Sequence, residues 1–338
     1  MRCLTSLALS LTMLLAAPAR ADEVVNIYSY RQPQLIQPLL DRFTAETGIA
    51  TQVLFDDKGT IERLAQEGIN SPADMVLTAD VIHLVEMKER GLAQPVHSAV
   101  LDAAIPANFR DPDSQWFGLT MRGRVIYASR DRVKQETMSY DDLADPRWKG
   151  KVCIRSGQHI YNLALFAGII AHKGEDGARR WLEGLKANLA RKPAGNDRQQ
   201  AQAIYGGECD LALGNTYYVG KMMTNDKEPA QKDWARAIRV IFPVSPEMGT
   251  HANISGAAIA ANAPHAAAAI KLLEFLAGEE AQRIYAEQNF EYPVRPGVAA
   301  SELVRSWGTI TLDDLPLGEI ARYAPLASKL VDEVQLND

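Results

Sequence analysis

Tyrosine and arginine are the side chains whose placement in this chain could do chemistry. Tyr217 and Tyr218 stand together after the β-like run Asp210–Gly214 and the polar turn Asn215-Thr216, so they open a helix. Tyr161 has the same setting: the β-like run Lys151–Arg155, the turn Ser156-Gly157-Gln158, then a helical pattern. Ligands of open α/β sheets bind beyond the carboxyl ends of strands, at helix starts. Two such starts therefore place three hydroxyls near one ligand end. A lone Tyr ordinarily packs its ring in a core and finds its hydroxyl a hydrogen bond; the pair together with Tyr161 fits that reading less well. Arginines occur in two comparable places: Tyr30-Arg31-Gln32-Pro33 lies between the first strand and the first helix, and Arg122-Gly123-Arg124 lies in an extended segment. A guanidinium beside phenols favours both a phenolate and a small anion. Hard trivalent cations take hard anionic oxygens, and the cation must displace the phenol proton, whose usual pKa is about 10. Several phenolates, an arginine-held anion and no thiolate suit Fe(III) better than zinc or copper(I).

Other chemistries lack their signatures. The chain has no G-x-S-x-G, no Walker A, no G-x-G-x-x-G after a strand and no H-E-x-x-H. Its six histidines share no metal-ligand spacing, and no cysteine pair sits at C-x-x-C. A net charge of −6 without a basic cluster argues against nucleic acid as a partner.

The elements that must position these residues alternate along the chain. Strand-like runs at Val24–Tyr28, Ala50–Phe55 and Met75–Thr78 interleave with helical patterns at Leu35–Thr47, Thr60–Glu67 and Asp80–Arg90. Glycines 48, 68 and 91 stop those helices. The alternation resumes with a strand at Lys151–Arg155, helices at Tyr161–Ala171, Gly177–Leu189 and Gln199–Tyr205, a strand at Asp210–Gly214 and a helix at Tyr217–Met223. Strands at Val240–Phe242 and Gly256–Ala260 and helices at His265–Gly278 and Glu280–Gln288 follow. This rhythm predicts mostly parallel sheets with helices on both faces. Trp116–Ser129 reads as an extended segment joining two such sheets, and 338 residues accommodate two α/β lobes. The expected division is 22–121 with 246–297 for the first lobe and 122–245 with 298–338 for the second.

The N-terminus carries Arg2, a charge-free apolar run from Leu4 to Ala17, and an A-x-A site at Ala19-Arg20-Ala21. That pattern is a signal peptide over 1–21, and the run is too short for a spanning helix of about 20 residues. The expected compartment is the periplasm. Cleavage removes Cys3 and leaves Cys153 and Cys209, an even pair that an oxidising compartment could join; two buried thiols is the other reading.

The sequence resembles the periplasmic ferric-ion-binding proteins of bacterial iron ABC transporters. The resembling segments are Asn26–Leu40 (NIYSYRQPQLIQPLL), Ser71–Thr78 (SPADMVLT), Gln115–Tyr127 (QWFGLTMRGRVIY), Lys149–Tyr161, Leu185–Pro193 (LKANLARKP), Gly214–Met222 (GNTYYVGKM) and Gly249–Gly256 (GTHANISG). The resemblance implies a two-lobed, hinged periplasmic binding protein of type II, with two doubly wound sheets joined by crossover strands. It implies Tyr161, Tyr217 and Tyr218 as iron ligands, and Gln32, Arg122 and Arg31 as contacts of a synergistic anion. Where many relatives place a His or Tyr after the first strand, this chain has Gln32 and Pro33. That resembles the subgroup using tyrosines and carbonate or a similar small anion. It further implies a monomer that is no enzyme and docks on an inner-membrane ABC permease. Two rivals remain open at this level: a binding protein for an oxyanion or small organic ligand, and an exported enzyme on a similar scaffold.

Overall fold

The computed structural model describes residues 23–56 and 58–338, so the expected signal peptide lies outside the described residues. The first β-branched run forms strand β1, Val24–Ser29, and the periodic segment after it forms helix α1, Pro33–Thr47. Pro33 suits the first turn because its φ is preset and its missing N–H is not needed there. Gly48 ends the helix at a φ of 73°, a conformation that costs glycine little. Strand β2 (Ala50–Phe55), helix α2 (Thr60–Glu67), strand β3 (Met75–Thr78) and helix α3 (Val81–Glu89) continue the alternation. After helix α4 (Ala99–Ala104) comes β4, Phe117–Ser129, a strand of 13 residues buried throughout.

Strand β5 (Val152–Cys153), helices α5 (Ile160–Ala187) and α6 (Asp197–Tyr205), strand β6 (Leu211–Asn215) and helix α7 (Thr216–Met223) form the second α/β unit. Helix α8 (Ala230–Ala237) and strand β7 (Ile238–Ile241) complete it. The chain then returns through β8 (Ala252–Ile259), α9 (Ala266–Leu276), α10 (Glu279–Asn289) and β9 (Tyr292–Pro293). Helices α11 (Glu302–Arg305), α12 (Leu317–Ala321) and α13 (Ala324–Glu333) close the chain.

The strand order is β2-β1-β3-β8-β4-β6-β5, with β7 and β9 pairing with β4. β1 runs parallel to β2 and β3, and β5 runs parallel to β6. Every pair made by β4 or β8 is antiparallel. The expected parallel pairing thus holds inside the βα units, and the antiparallel pairs belong to the strands that cross between lobes. β4 shows how the crossing works. Phe117–Gly123 pairs with β8 in the first lobe, whereas Arg124–Ala128 pairs with β6 in the second. The chain comes back at His251, whose carbonyl accepts from Arg124 N at 2.9 Å. The two lobes of a type II periplasmic binding protein, joined by crossover strands, are therefore present.

Each lobe has its own core. Ile27, Leu39, Phe43, Leu77, Phe117 and Leu272 belong to one, and Ile126, Leu165, Phe166, Leu182, Leu213 and Leu330 to the other. Met248 packs in the second core, so the return crossing lies after it rather than at 246. Helix α12 touches both sides: Ile320 packs in the second core, while Leu317 and Ala321 pack with Leu84 and Trp116 of the first lobe.

Several elements differ from the sequence reading. The two helices expected at Tyr161–Ala171 and Gly177–Leu189 are present, the two parts of α5 on either side of a non-helical break at Gly174, where φ is 68°. The strand expected at Gly256–Ala260 starts at Ala252 instead. Asn253 and Ser255 conceal its first half, since polar residues break an apolar run even when buried and hydrogen-bonded. Helices α4, α8, α11, α12 and α13 have no counterpart in that reading. Of the two readings of the cysteines, the structure has the disulfide: Cys153 of β5 is bonded to Cys209, with Cα atoms 5.9 Å apart.

Candidate functional site

Because β5 and β6 are parallel neighbours, the helices that follow them begin side by side. Tyr161 stands in the first turn of α5, and Tyr217 and Tyr218 in the first turn of α7. The hydroxyls of Tyr161 and Tyr217 lie 3.4 Å apart, and the rings of Tyr217 and Tyr218 are 4.2 Å apart between centroids. In the first lobe, Tyr30, Arg31 and Gln32 follow β1, and Ala79 and Asp80 follow β3. These turns from both lobes face one cavity of about 510 Å³, which Tyr161, Tyr217 and Tyr218 also line. The cleft thus opens at the carboxyl ends of the parallel strands of both sheets, where such folds bind ligands.

Local structure fixes the tyrosines. The His159 ring caps α5 by accepting from Tyr161 N at 3.2 Å, and its edge meets the Tyr161 ring. The junction of β6 with α7 is pinned by Tyr127, whose hydroxyl donates to Asn215 O at 2.6 Å. Gly214 allows this, since a Cβ there would lie 2.1 Å from the Tyr127 ring. Burial, followed by the neighbouring Tyr161 and Tyr218, pushes the Tyr217 phenol well above its ordinary pKa. Burial and Tyr161 likewise raise Tyr218. Without a cation Tyr217 and Tyr218 therefore stay neutral, because ionising them would place charge in a desolvated site.

Behind the tyrosines lies a buried ionic hub. Asp197, fully buried in the first turn of α6, accepts from Arg124 Nη1 at 2.7 Å, from Arg155 Nη1 at 3.1 Å and from Asn215 N at 2.9 Å. Burial alone would raise its pKa, but the charges of Arg124 and Arg155 outweigh that and hold the carboxyl below the usual range. Arg124 Nη2 donates to Asn162 Oδ1 at 2.7 Å, and Asn162 Nδ2 donates back to the carbonyls of Arg155 and Ser156 at 3.0 Å. One carboxylate thus ties the crossing strand β4 to both tyrosine-bearing turns.

The three anion candidates lie in different settings. Gln32 lines the cleft at the start of α1, its head exposed and accepting from Gln34 Nε2 at 2.8 Å. Arg31 also lines the cleft, but its guanidinium is spent on Glu291, with Nη1 and Nη2 donating to the two carboxylate oxygens at 2.8 and 2.9 Å. Arg122 sits behind the cleft wall: it donates to Ser255 Oγ at 3.1 Å and to Ala79 O, and its Cζ lies 5.5 Å from the Tyr161 ring centroid. Both arginines are engaged by buried partners. Tyr30 belongs to the first lobe's wall. Its ring stacks on His83 with 4.1 Å between centroids, its hydroxyl accepts from Ile61 N at 3.2 Å, and burial raises its pKa to about 12.

Sequence reasoning missed Arg155, His159, Asp197 and Glu291. Arg155 and His159 stand in the same strand-to-helix turn as Tyr161, so the rule that found the tyrosine also reaches them. Asp197 looks like any acidic residue in a first helical turn, and Glu291 carries no local signal. Among the described residues no three His, Cys, Asp or Glu side chains converge to hold a metal ion.

Two lobes that can close on a polar cleft suit capture of a solute, and residues 70–306 match the model of the bacterial extracellular solute-binding protein family. The chain belongs to that family. It is 41% identical over 315 residues to iron uptake protein A1 of Synechocystis, covering 92% of this chain and 87% of the relative. The apo ferric ion-binding protein A of Pasteurella haemolytica superposes with a TM-score of 0.90 at 51% identity, covering 94% and 99% of the two chains. A Trichodesmium protein in complex with iron and citrate superposes with a TM-score of 0.86 at 39% identity, covering 92% and 99%. This solute-binding family serves transport, and the matched relatives are not enzymes.

Proposed function

We propose that this solute-binding protein captures Fe(III) in the interlobe cleft through Tyr161, Tyr217 and Tyr218, with carbonate or a similar small anion completing the coordination. The observation that carries the reading is the convergence of three phenols on one cavity, with Tyr161 Oη 3.4 Å from Tyr217 Oη. Oxygens bound side by side at about 2 Å from one hard ion sit about 3 Å apart, so a shift of a few tenths of an ångström makes this pair a chelate. Relatives named for iron uptake and ferric-ion binding support the same reading. Lobe closure about the β4 and β8 crossings then encloses the ion. In this account the mature, monomeric protein works in the periplasm and passes its cargo to an inner-membrane ABC permease. The division into lobes at 22–121 with 246–297 and 122–245 with 298–338 serves that hinge, with the return crossing refined to His251.

Metal analysis after dialysis against Fe(III) nitrilotriacetate and bicarbonate tests the proposal. One iron per wild-type chain is expected, and none in the variant with all three tyrosines changed to Phe. Equal iron in both proteins, with both folded, excludes this site.

A further inference from the structure

The turn Ser156-Gly157-Gln158, which leads from β5 to Tyr161, is gripped by helix α13 and the residues after it. Gly157 N donates to Asn337 Oδ1 at 2.8 Å. Gln158 Nε2 donates to Ser328 O at 3.0 Å and to Asp332 Oδ1 at 2.7 Å, while Gln158 Oε1 accepts from Ser328 Oγ at 2.8 Å. These bonds join residues 170 to 180 positions apart. Ser328, Asp332 and Asn337 themselves do not line the cleft cavity.

The way α13 ends brings it to the turn. Gln335 takes a left-handed φ of 53°, Gln335 N donates to Asp332 O at 3.0 Å, and Leu336 N donates to Val331 O at 3.0 Å. That is a Schellman stop, which folds Leu336 back beside Val331. Both side chains meet Gly157, where a Cβ would lie 2.8 Å from Leu336 Cδ2 and 2.9 Å from Val331 Cγ1. Val331 and Leu336 pack in the second core with Leu165 and Phe166 of α5, and Lys186 Nζ donates to Val334 O at 2.9 Å. The latch is therefore anchored in the lobe that carries Tyr161.

A displacement of the turn reaches Tyr161 through backbone bonds. Ser156 O accepts from His159 N at 3.1 Å, and His159 O accepts from Asn162 N at 2.8 Å. Binding side chains need to be held within about 0.5 Å by the residues that support them. We propose that Ser328, Asp332 and Asn337 are positioning residues for iron binding, which hold the 156–158 turn so that the Tyr161 hydroxyl stays beside that of Tyr217. This rests on the iron reading above.

The test measures Fe(III) affinity of the full mature protein by competition with citrate, read from the tyrosinate band. It compares Asn337 with Asn337→Ala, and with Asn337→Ala plus Ser328→Ala, in three backgrounds: native, Tyr161→Phe and Tyr218→Phe. In the native background Asn337→Ala should weaken iron binding about threefold or more, the worth of one hydrogen bond, and the double variant should weaken it further. The loss should vanish when Tyr161 is already Phe and persist when Tyr218 is, because the latch acts through Tyr161. Far-UV dichroism and thermal unfolding of the apo proteins check the fold; should the double variant fail to fold, Asn337→Ala alone decides. Equal losses in all three backgrounds would make the latch a general support of the lobe and overturn the proposal. Unchanged affinity in the folded variants overturns it too and leaves the iron reading standing. A wild type that binds no iron removes both.

Discussion

The hydroxyls of Tyr161 and Tyr217 meet at 3.4 Å although 56 residues separate them in the chain. Parallel pairing of β5 with β6 makes that meeting, since each strand delivers its following helix start to the same edge. Two phenolates at that spacing repel each other, and a cation between them would supply the opposing charge.

Changing Tyr217 to Phe removes a phenolate oxygen and keeps the ring packed. Loss of one charged contact of ~1.5–3 kcal/mol weakens Fe(III) binding about tenfold or more. Competition with citrate measures the loss, and unchanged thermal unfolding of the apo protein shows that the fold is intact. Tyr127→Phe, which removes the anchor on Asn215 O, should lower iron affinity by a smaller factor because it disturbs only the position of α7.

Acid should release the metal before it unfolds the protein. Each ligand phenol must lose its proton to bind, and Tyr217 and Tyr218 start with pKa values raised by burial, so loading releases up to about three protons per ion and affinity falls steeply as pH falls. The apo fold responds more gradually. His159 and His251 are lowered from 6.5 to about 3, and His83 to about 4, each chiefly by burial. The unfolded chain therefore binds more protons between those values, and their stabilising contribution is full above about 6.5 and lost on descending through the window. Asp80 acts oppositely: burial raises it from 3.8 to about 6, so the folded state takes its proton first and gains stability as pH drops through that interval. Visible absorbance and far-UV dichroism recorded in one acid titration should show colour lost first. Coincident loss would assign metal release to unfolding.

Arg31 and Glu291 form a buried bidentate pair, which makes Arg31 a structural residue of the cleft wall. Burial works against Glu291's charge, but Arg31 outweighs it and lowers the pKa. Glu291→Gln leaves a guanidinium buried without its countercharge and should destabilise the protein by ~3–5 kcal/mol in denaturant unfolding. The double change Arg31→Met with Glu291→Leu should recover most of that loss. A cost below about 1 kcal/mol for Glu291→Gln would place the pair among exposed ion pairs and contradict its burial.

The disulfide between Cys153 and Cys209 staples the strands that lead to both tyrosine-bearing turns. Closing a loop of 56 residues restricts the unfolded chain, and the loop-entropy model assigns about 4 kcal/mol to it. Changing both cysteines to Ser should lower stability by ~2–4 kcal/mol in denaturant unfolding. Dithiothreitol should destabilise the wild type and leave that variant unaffected; equal stability of the two proteins without reductant would contradict the contribution.

Local chemistry explains what is legible in the sequence. Strand and helix periods, glycine stops and the tyrosines at helix starts all act over a few residues, so β1 to α3 and the region from β5 to α7 read correctly. What escapes depends on contacts far apart in the chain. The guanidinium of Arg31 looks free to hold an anion until Glu291, which lies 260 residues away, is placed against it. Arg155 is held in place by Asp197, 42 residues on. The first half of β8 is hidden because Asn253 and Ser255 are buried polar residues whose partners, Asp80, Val81 and Arg122, come from elsewhere in the fold.

The most direct test of the central claim is the visible spectrum of the apo protein during titration with Fe(III) in the presence of bicarbonate. Phenolate coordination gives a charge-transfer band. The account predicts a band that grows to a one-to-one endpoint and is weakened in Tyr161→Phe, Tyr217→Phe and Tyr218→Phe. Iron bound without that band, or a protein that stays colourless and binds no iron with either bicarbonate or citrate, would contradict it.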